Sequence, residues 1–205
     1  MAFIQSLSDE VESALRDPGR AWLATRILTR VEAMGLLGPV GPRPIGPPAL
    51  AEALEALVSA GVARREAQAV LAGRSGESLW PAIDDAIAES AVPDSEWVSM
   101  GAVLGDELLA RLVGASATSI GRYRRGDRRT PDEVASRLHF LALVVADLAG
   151  SYNDRGVRRW FDRPRPQLDG QAPAALLHAA WDPDDPGPRR VAALASALVG
   201  AGGAT

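Results

Sequence analysis

The sequence predicts an all-α protein with a helical N-terminal region, a helix-turn-helix unit and a small helical C-terminal domain. Three observations carry that prediction. Apolar residues recur at a spacing of four, Ala- and Leu-rich segments of helical length are cut by glycines, and no stretch sustains an alternation of β-branched and polar residues. The first two suit helices with one buried stripe; the third leaves no half-buried strand.

Leu23, Ile27 and Val31 place one stripe on a helix spanning 18–34, with Gly35 as its stop, inside an N-terminal helical region 1–37. Eight of the eleven residues in 38–48 are Gly or Pro, which neither a helix nor a central strand tolerates, so this stretch is expected to be a linker or a rigid surface loop. Residues 49–99 form a second helical region, to which the sequence assigns no role. Its helices are expected at 49–60, 64–72 and 78–90, parted by Gly61 and by the Gly73-Arg74-Ser75-Gly76 turn.

The strongest pattern lies in 100–130. Ala110 stands four residues before Gly114, and Ile120 follows six later. In a helix-turn-helix, a small residue is needed where the two helices cross, and a glycine supplies the positive φ of the tight turn. Leu109, Val113, Ala115, Ile120 and Tyr123 then face inward, and Ser116 is placed to cap the second helix. Outward on that helix stand Ala117, Thr118, Gly121, Arg122 and Arg125. Small and hydroxylic residues at its start allow close entry into a major groove, where Ser116, Thr118, Ser119, Arg122 and Arg125 can reach base edges. Arg124, Arg128 and Arg129 are placed for phosphates, which position a protein without specifying sequence. The alternative is a plain helical hairpin with a glycine turn. Leu57, Gly61 and Ala67 repeat the spacing more weakly, with Leu57 where a small residue is preferred and Arg64 and Arg65 nearby; an ordinary hairpin or a second DNA-reading unit fits them.

Charge supports a local polyanion surface. The chain carries a net −4, yet residues 111–137 hold seven arginines against Asp127, Asp132 and Glu133, so that stretch is +4 and the remainder −8. A solvated basic face is the alternative. All 22 basic side chains are arginine, which excludes a Walker-type phosphate loop and a Schiff-base lysine. The absence of cysteine excludes disulfides, thiolate metal sites and a cysteine nucleophile. No apolar run approaches the roughly 20 residues needed to cross a bilayer, and the first residues carry no basic-then-apolar signal, so a cytoplasmic location is expected.

Beyond Thr130, expected as a cap, and Pro131, expected at a first helical position, Leu138, Leu141, Val144, Val145 and Leu148 mark a long helix; His139 within it reads as a packed or surface histidine. There follow Trp160-Phe161, Pro164-Arg165-Pro166, Leu168-Asp169-Gly170, Pro173 and Leu176-Leu177. By themselves these residues are core anchors and turns between short helices. Their order and spacing, together with the preceding helix-turn-helix, resemble the Xre/MbcA/ParS-type antitoxins that neutralise RES-domain toxins, over roughly residues 100–198. Arg165 stands where many relatives carry asparagine. The resemblance implies that 131–199 form a toxin-binding and dimerisation domain, with Trp160, Phe161, Arg165, Leu168 and Pro173 as its toxin-binding residues; 200–205 are expected to be a flexible tail. It also implies that the terminal helix, 189–199, helps obstruct the toxin's NAD-binding cleft.

The expectation is therefore the antitoxin of a type II toxin–antitoxin system. Its partners would be operator DNA and a RES-domain toxin that consumes NAD, and its assembly a homodimer or a higher hetero-oligomer. No catalytic residue, metal ligand or cofactor is assigned. A stand-alone regulator whose terminal domain only dimerises is the rival. An enzyme is a third reading, poorly supported because His139 and His178 lack metal-spaced partners and 182–186 reads as an acidic turn. With 100–130 as a separate unit, removal of 160–205 is expected to abolish toxin neutralisation and leave some DNA affinity.

Overall fold

Every regular element is a helix, as the sequence predicts, in the computed structural model, which describes residues 11–38, 46–74, 76–178 and 180–201. The chain divides into two compact units, 1–90 and 91–205. That division falls after Ser90. Of the predicted linker, residues 39–45 lie outside the described residues, while Pro47 and Pro48 open a helix instead of belonging to a connector. Of the predicted tail at 200–205, residues 202–205 also lie outside them, while 200 and 201 belong to the last helix instead.

In the first unit, residues 11–16 are helical. Asp17 then starts α1 (Pro18–Ala33), its carboxylate accepting the Arg20 N–H at 2.9 Å. α2 (Pro47–Ala60), α3 (Arg64–Leu71) and α4 (Leu79–Glu89) follow. α1 packs on α2 and α4, and α3 on both of these. Proline at the first turn suits α1 and α2 because those N–H groups lack helical acceptors anyway. Ile27, Val31, Leu50, Leu54, Trp80 and Ile83 make the core. An ion pair is built into it: Arg30 Nη1 donates to the Asp84 carboxylate at 2.7 Å and to the Asp84 carbonyl at 3.2 Å. The Leu57–Gly61–Ala67 echo is a helical hairpin with Gly61 at φ 79°, and it leaves Arg64 and Arg65 exposed.

The second unit contains α5 (Pro93–Leu104), α6 (Asp106–Val113), α7 (Ala117–Arg124) and α8 (Asp132–Ala149). After these come α9 (Asp154–Asp162), a 3-10 turn (Pro166–Leu168), α10 (Pro173–Leu176) and α11 (Pro186–Ala201). α8 is the central element, packed by α5, α6, α9 and α11. Its apolar stripe predicts one buried face, but its burial runs almost all round, through Leu138, Phe140, Leu141, Ala142, Val144 and Val145. Glu96 of α5 and His139 of α8 are both buried and approach to 2.6 Å, so His139 is a packed histidine with a carboxylate partner.

Two expectations are corrected here. Thr130 does not cap α8; Pro131 occupies the cap position in extended conformation, and the Thr130 hydroxyl accepts from the Trp97 indole at 2.9 Å. Nor do 100–130 and 131–199 pack as successive domains. Trp97, Leu138, Trp160, Phe161 and Trp181 are all buried within the same compact unit.

Candidate nucleic-acid interface

α6 and α7 are two short helices joined by a tight turn at Gly114, where the spacing places a turn. Gly114 sits at φ 71°, ψ 34°, a left-handed conformation that side chains with a Cβ adopt at a cost, and both it and Ala115 donate N–H groups to the Ala110 carbonyl at 3.1 Å. Ser116 then takes an extended conformation, and its Oγ accepts the Ser119 N–H at 3.2 Å, closing the open end of α7. Leu109, Val113, Ile120 and Tyr123 are buried beneath the pair, while Ala110 and Ala115 are half-buried.

The outward edge of α7 gathers most of the predicted DNA-binding residues. Ser116, Thr118, Arg122, Arg125, Arg128 and Arg129 are exposed there and in the following turn. Arg125 meets Asp127 at 2.8 Å and Arg129 meets Asp132 at 3.3 Å, but these surface pairs are exposed on both sides and are cheaply exchanged for another anion. Arg128 lies over the Tyr123 ring, 5.7 Å from its centroid. All of the basic groups here are guanidiniums, whose planar donors match phosphate oxygens and the edge of guanine in pairs.

Two predicted residues turn elsewhere. Ser119 is half-buried, and its hydroxyl is 3.0 Å from the Ser116 hydroxyl, so it belongs to the cap. Arg124 folds back across Gly101 to pair with Asp106 at the start of α6. Only a glycine at 101 admits that path, since a Cβ there would lie 2.5 Å from the Arg124 Nη2.

The helix is braced from behind by residues that the spacing did not disclose. Trp97 of α5 stacks on Tyr123 with centroids 5.6 Å apart and planes 21° from parallel. A tryptophan on α5 was the available signal, but its partner is 26 positions away and no local period connects the two.

The residues assigned to toxin binding behave differently from those of α7. Trp160, Phe161, Leu168 and Pro173 are buried, with Trp160 and Phe161 edge-to-face at 5.2 Å. Arg165 is half-buried and lays its guanidinium over Trp160 at 5.5 Å. The four apolar side chains build the core, in keeping with their reading as core anchors, and they support the surface around them. That surface includes Arg155, Arg159 and Arg163, which are exposed, while the neighbouring Asp162 pairs with Arg111 at 2.6 Å.

Residues 182–186 make the acidic turn expected of them. The Asp182 and Asp185 carboxylates accept the N–H groups of Asp184 and Asp182 at 2.8 Å each. Among the described residues, no group of three or more His, Asp or Glu side chains is placed to hold a metal ion. No single described helix is long and apolar enough to cross a membrane. No family model, curated protein or solved structure matches the chain.

Proposed function

We propose that the chain is a sequence-specific DNA-binding regulator that reads an operator with α7, and that it serves as the antitoxin of a type II pair. The observation that carries the DNA reading is the arrangement of α7 itself. Its apolar face is buried through Ile120 and Tyr123, its start is capped by Ser116, and its free edge holds Ser116, Thr118, Arg122 and Arg125 in one exposed row. The acidic balance of the chain is compatible with this reading, since phosphate attraction is set by the local edge and fades within about 10 Å at 0.1 M salt.

Arg122→Ala and Arg125→Ala are each expected to weaken binding to a selected operator duplex by about 1–3 kcal/mol, the worth of a base contact. Fluorescence anisotropy on 20-bp duplexes enriched from a random pool is the measurement. Full affinity in the double variant would remove α7 as the reader.

The antitoxin role rests on the order Trp160-Phe161, Pro164, Leu168-x-Gly170, Pro173 and on the resemblance it carries. In this role the chain, as a homodimer or a larger assembly with its toxin, holds a RES-domain enzyme that consumes NAD and represses the operon encoding both. Sequestration is then a matter of mass action. Co-expression of a RES-domain protein with and without this chain tests it: growth rescue and co-purification are expected. The burial of Trp160, Phe161, Leu168 and Pro173 favours one second reading, a stand-alone regulator whose C-terminal half only completes the fold. Failure of both rescue and co-purification would select that reading.

A further inference from the structure

We propose that Arg137 and Trp181 are positioning residues for the DNA-reading helix, so that the C-terminal half of the second unit fixes how selectively α7 reads. This rests on the reading of α7 as the operator-contacting element.

Like those of any α-helix, the last carbonyls of α6 have no partner within the helix and must find one outside. The Ala110 carbonyl is met by the turn at Gly114. The carbonyls of Leu112 and Val113 are met from a distance: the Trp181 indole N–H donates to Leu112 at 2.7 Å, and Arg137 Nη1 donates to Val113 at 3.3 Å. The two donors are themselves joined, because Arg137 Nε donates to the Trp181 carbonyl at 2.6 Å. Both residues are buried, and Phe140 holds the indole edge-to-face at 5.1 Å. The guanidinium also places positive charge at a helix C-terminus, where the exposed carbonyls favour a cation.

This clamp closes on the two residues directly before Gly114. The direction in which the chain leaves α6 sets the angle of α7, and α7 packs mainly on α5 and α6. Ile120 and Tyr123 anchor its middle and far end. Its near end, which carries Ser116 and Thr118, takes its place from the turn. Base recognition needs side chains held to roughly half an ångström, whereas attraction to phosphates does not. Loosening the clamp therefore costs discrimination between sequences and spares the salt-dependent part of binding.

The test uses the full chain as wild type, as Trp181→Phe, which keeps an aromatic ring and removes the N–H, and as Arg137→Lys, which keeps the charge with a single donor group. Duplexes of 20 bp enriched by the wild type from a random pool are compared with shuffled duplexes of the same composition, across a salt series. For Trp181→Phe, the ratio of enriched to shuffled affinity is expected to fall about tenfold, the scale of one unpaired buried carbonyl. The salt slope should stay unchanged, and Arg137→Lys should fall between wild type and Trp181→Phe.

An unchanged ratio in either variant with a wild-type melting transition would overturn the clamp. An equal loss on both kinds of duplex would also overturn it, because that marks a merely structural role. Wild type that enriches no duplex would remove the DNA reading itself, and the clamp with it.

Discussion

Removing residues 160–205 is expected to abolish DNA binding and cooperative folding of the second unit together. The truncation takes away Trp160, Phe161, Leu168, Leu177, Trp181 and Val191, all buried, and uncovers the face of α8 against which α9 and α11 pack. Each large buried aromatic is worth about 3–5 kcal/mol against its deletion to alanine, and three of them leave at once. The whole stability of a domain is about 5–15 kcal/mol, so the loss exhausts it. Arg137 would also lose its bond to the Trp181 carbonyl and keep only that to Val113. Circular dichroism melts of residues 1–159 should therefore lack the transition of the second unit. The separate-domain expectation drawn from the sequence makes the opposite forecast, and a truncated chain with a sharp melt and retained operator affinity would restore it.

Trp97→Ala is expected to destabilise the second unit by about 3–5 kcal/mol, with the damage concentrated at α7. The indole fills the space behind Tyr123 and donates to Thr130, whose hydroxyl is buried. Its removal opens a cavity and strands a polar group in one step, and the second effect adds to the first. Trp97→Phe keeps one ring for stacking and loses the donor and part of the buried volume, so it should cost less, about 1–3 kcal/mol. Urea midpoints give the two totals. Hydrogen exchange should show the amides of 117–124 opening at lower energy in Trp97→Ala than in Trp97→Phe; equal exchange in both would mean that the ring does not brace the reader.

The parts of this fold that sequence discloses are those written within one or two helical turns. Gly114, Ser116 and Ile120 announce their turn, cap and buried face because each function depends on neighbours three to six residues away. Pro18 similarly marks a helix start through the geometry of one residue, whereas Pro47 and Pro48, set among glycines and prolines, read as linker and yet open a helix. The side chains that hold these pieces together are not local. Trp97 with Tyr123, Glu96 with His139 and Arg137 with Trp181 are separated by 26 to 44 positions, and no period links them. Charge misleads for the same reason: seven arginines in 111–137 read as one basic surface, yet Arg137 is buried and Arg124 is folded onto α5. The Trp160–Phe161 pair presents the inverse case, since bulky apolar residues in a distinctive order suit an outer recognition surface and an inner packing layer equally well until their burial is seen.

Gly101 therefore acts as a berth. The guanidinium of Arg124 is moored there only because the site is bare, and one added methyl would evict it at small cost, since the obstructed atoms are the free end of a flexible side chain. Gly101→Ala would thus hand the reader an extra mobile cation without changing the protein's charge. The grip on any duplex would rise, with a salt dependence steeper by about one phosphate, while the ratio that separates the right sequence from the wrong one would shrink. A hydrogen atom in place of a side chain, on a helix remote from the bases, would in this way help keep the protein from holding DNA indiscriminately.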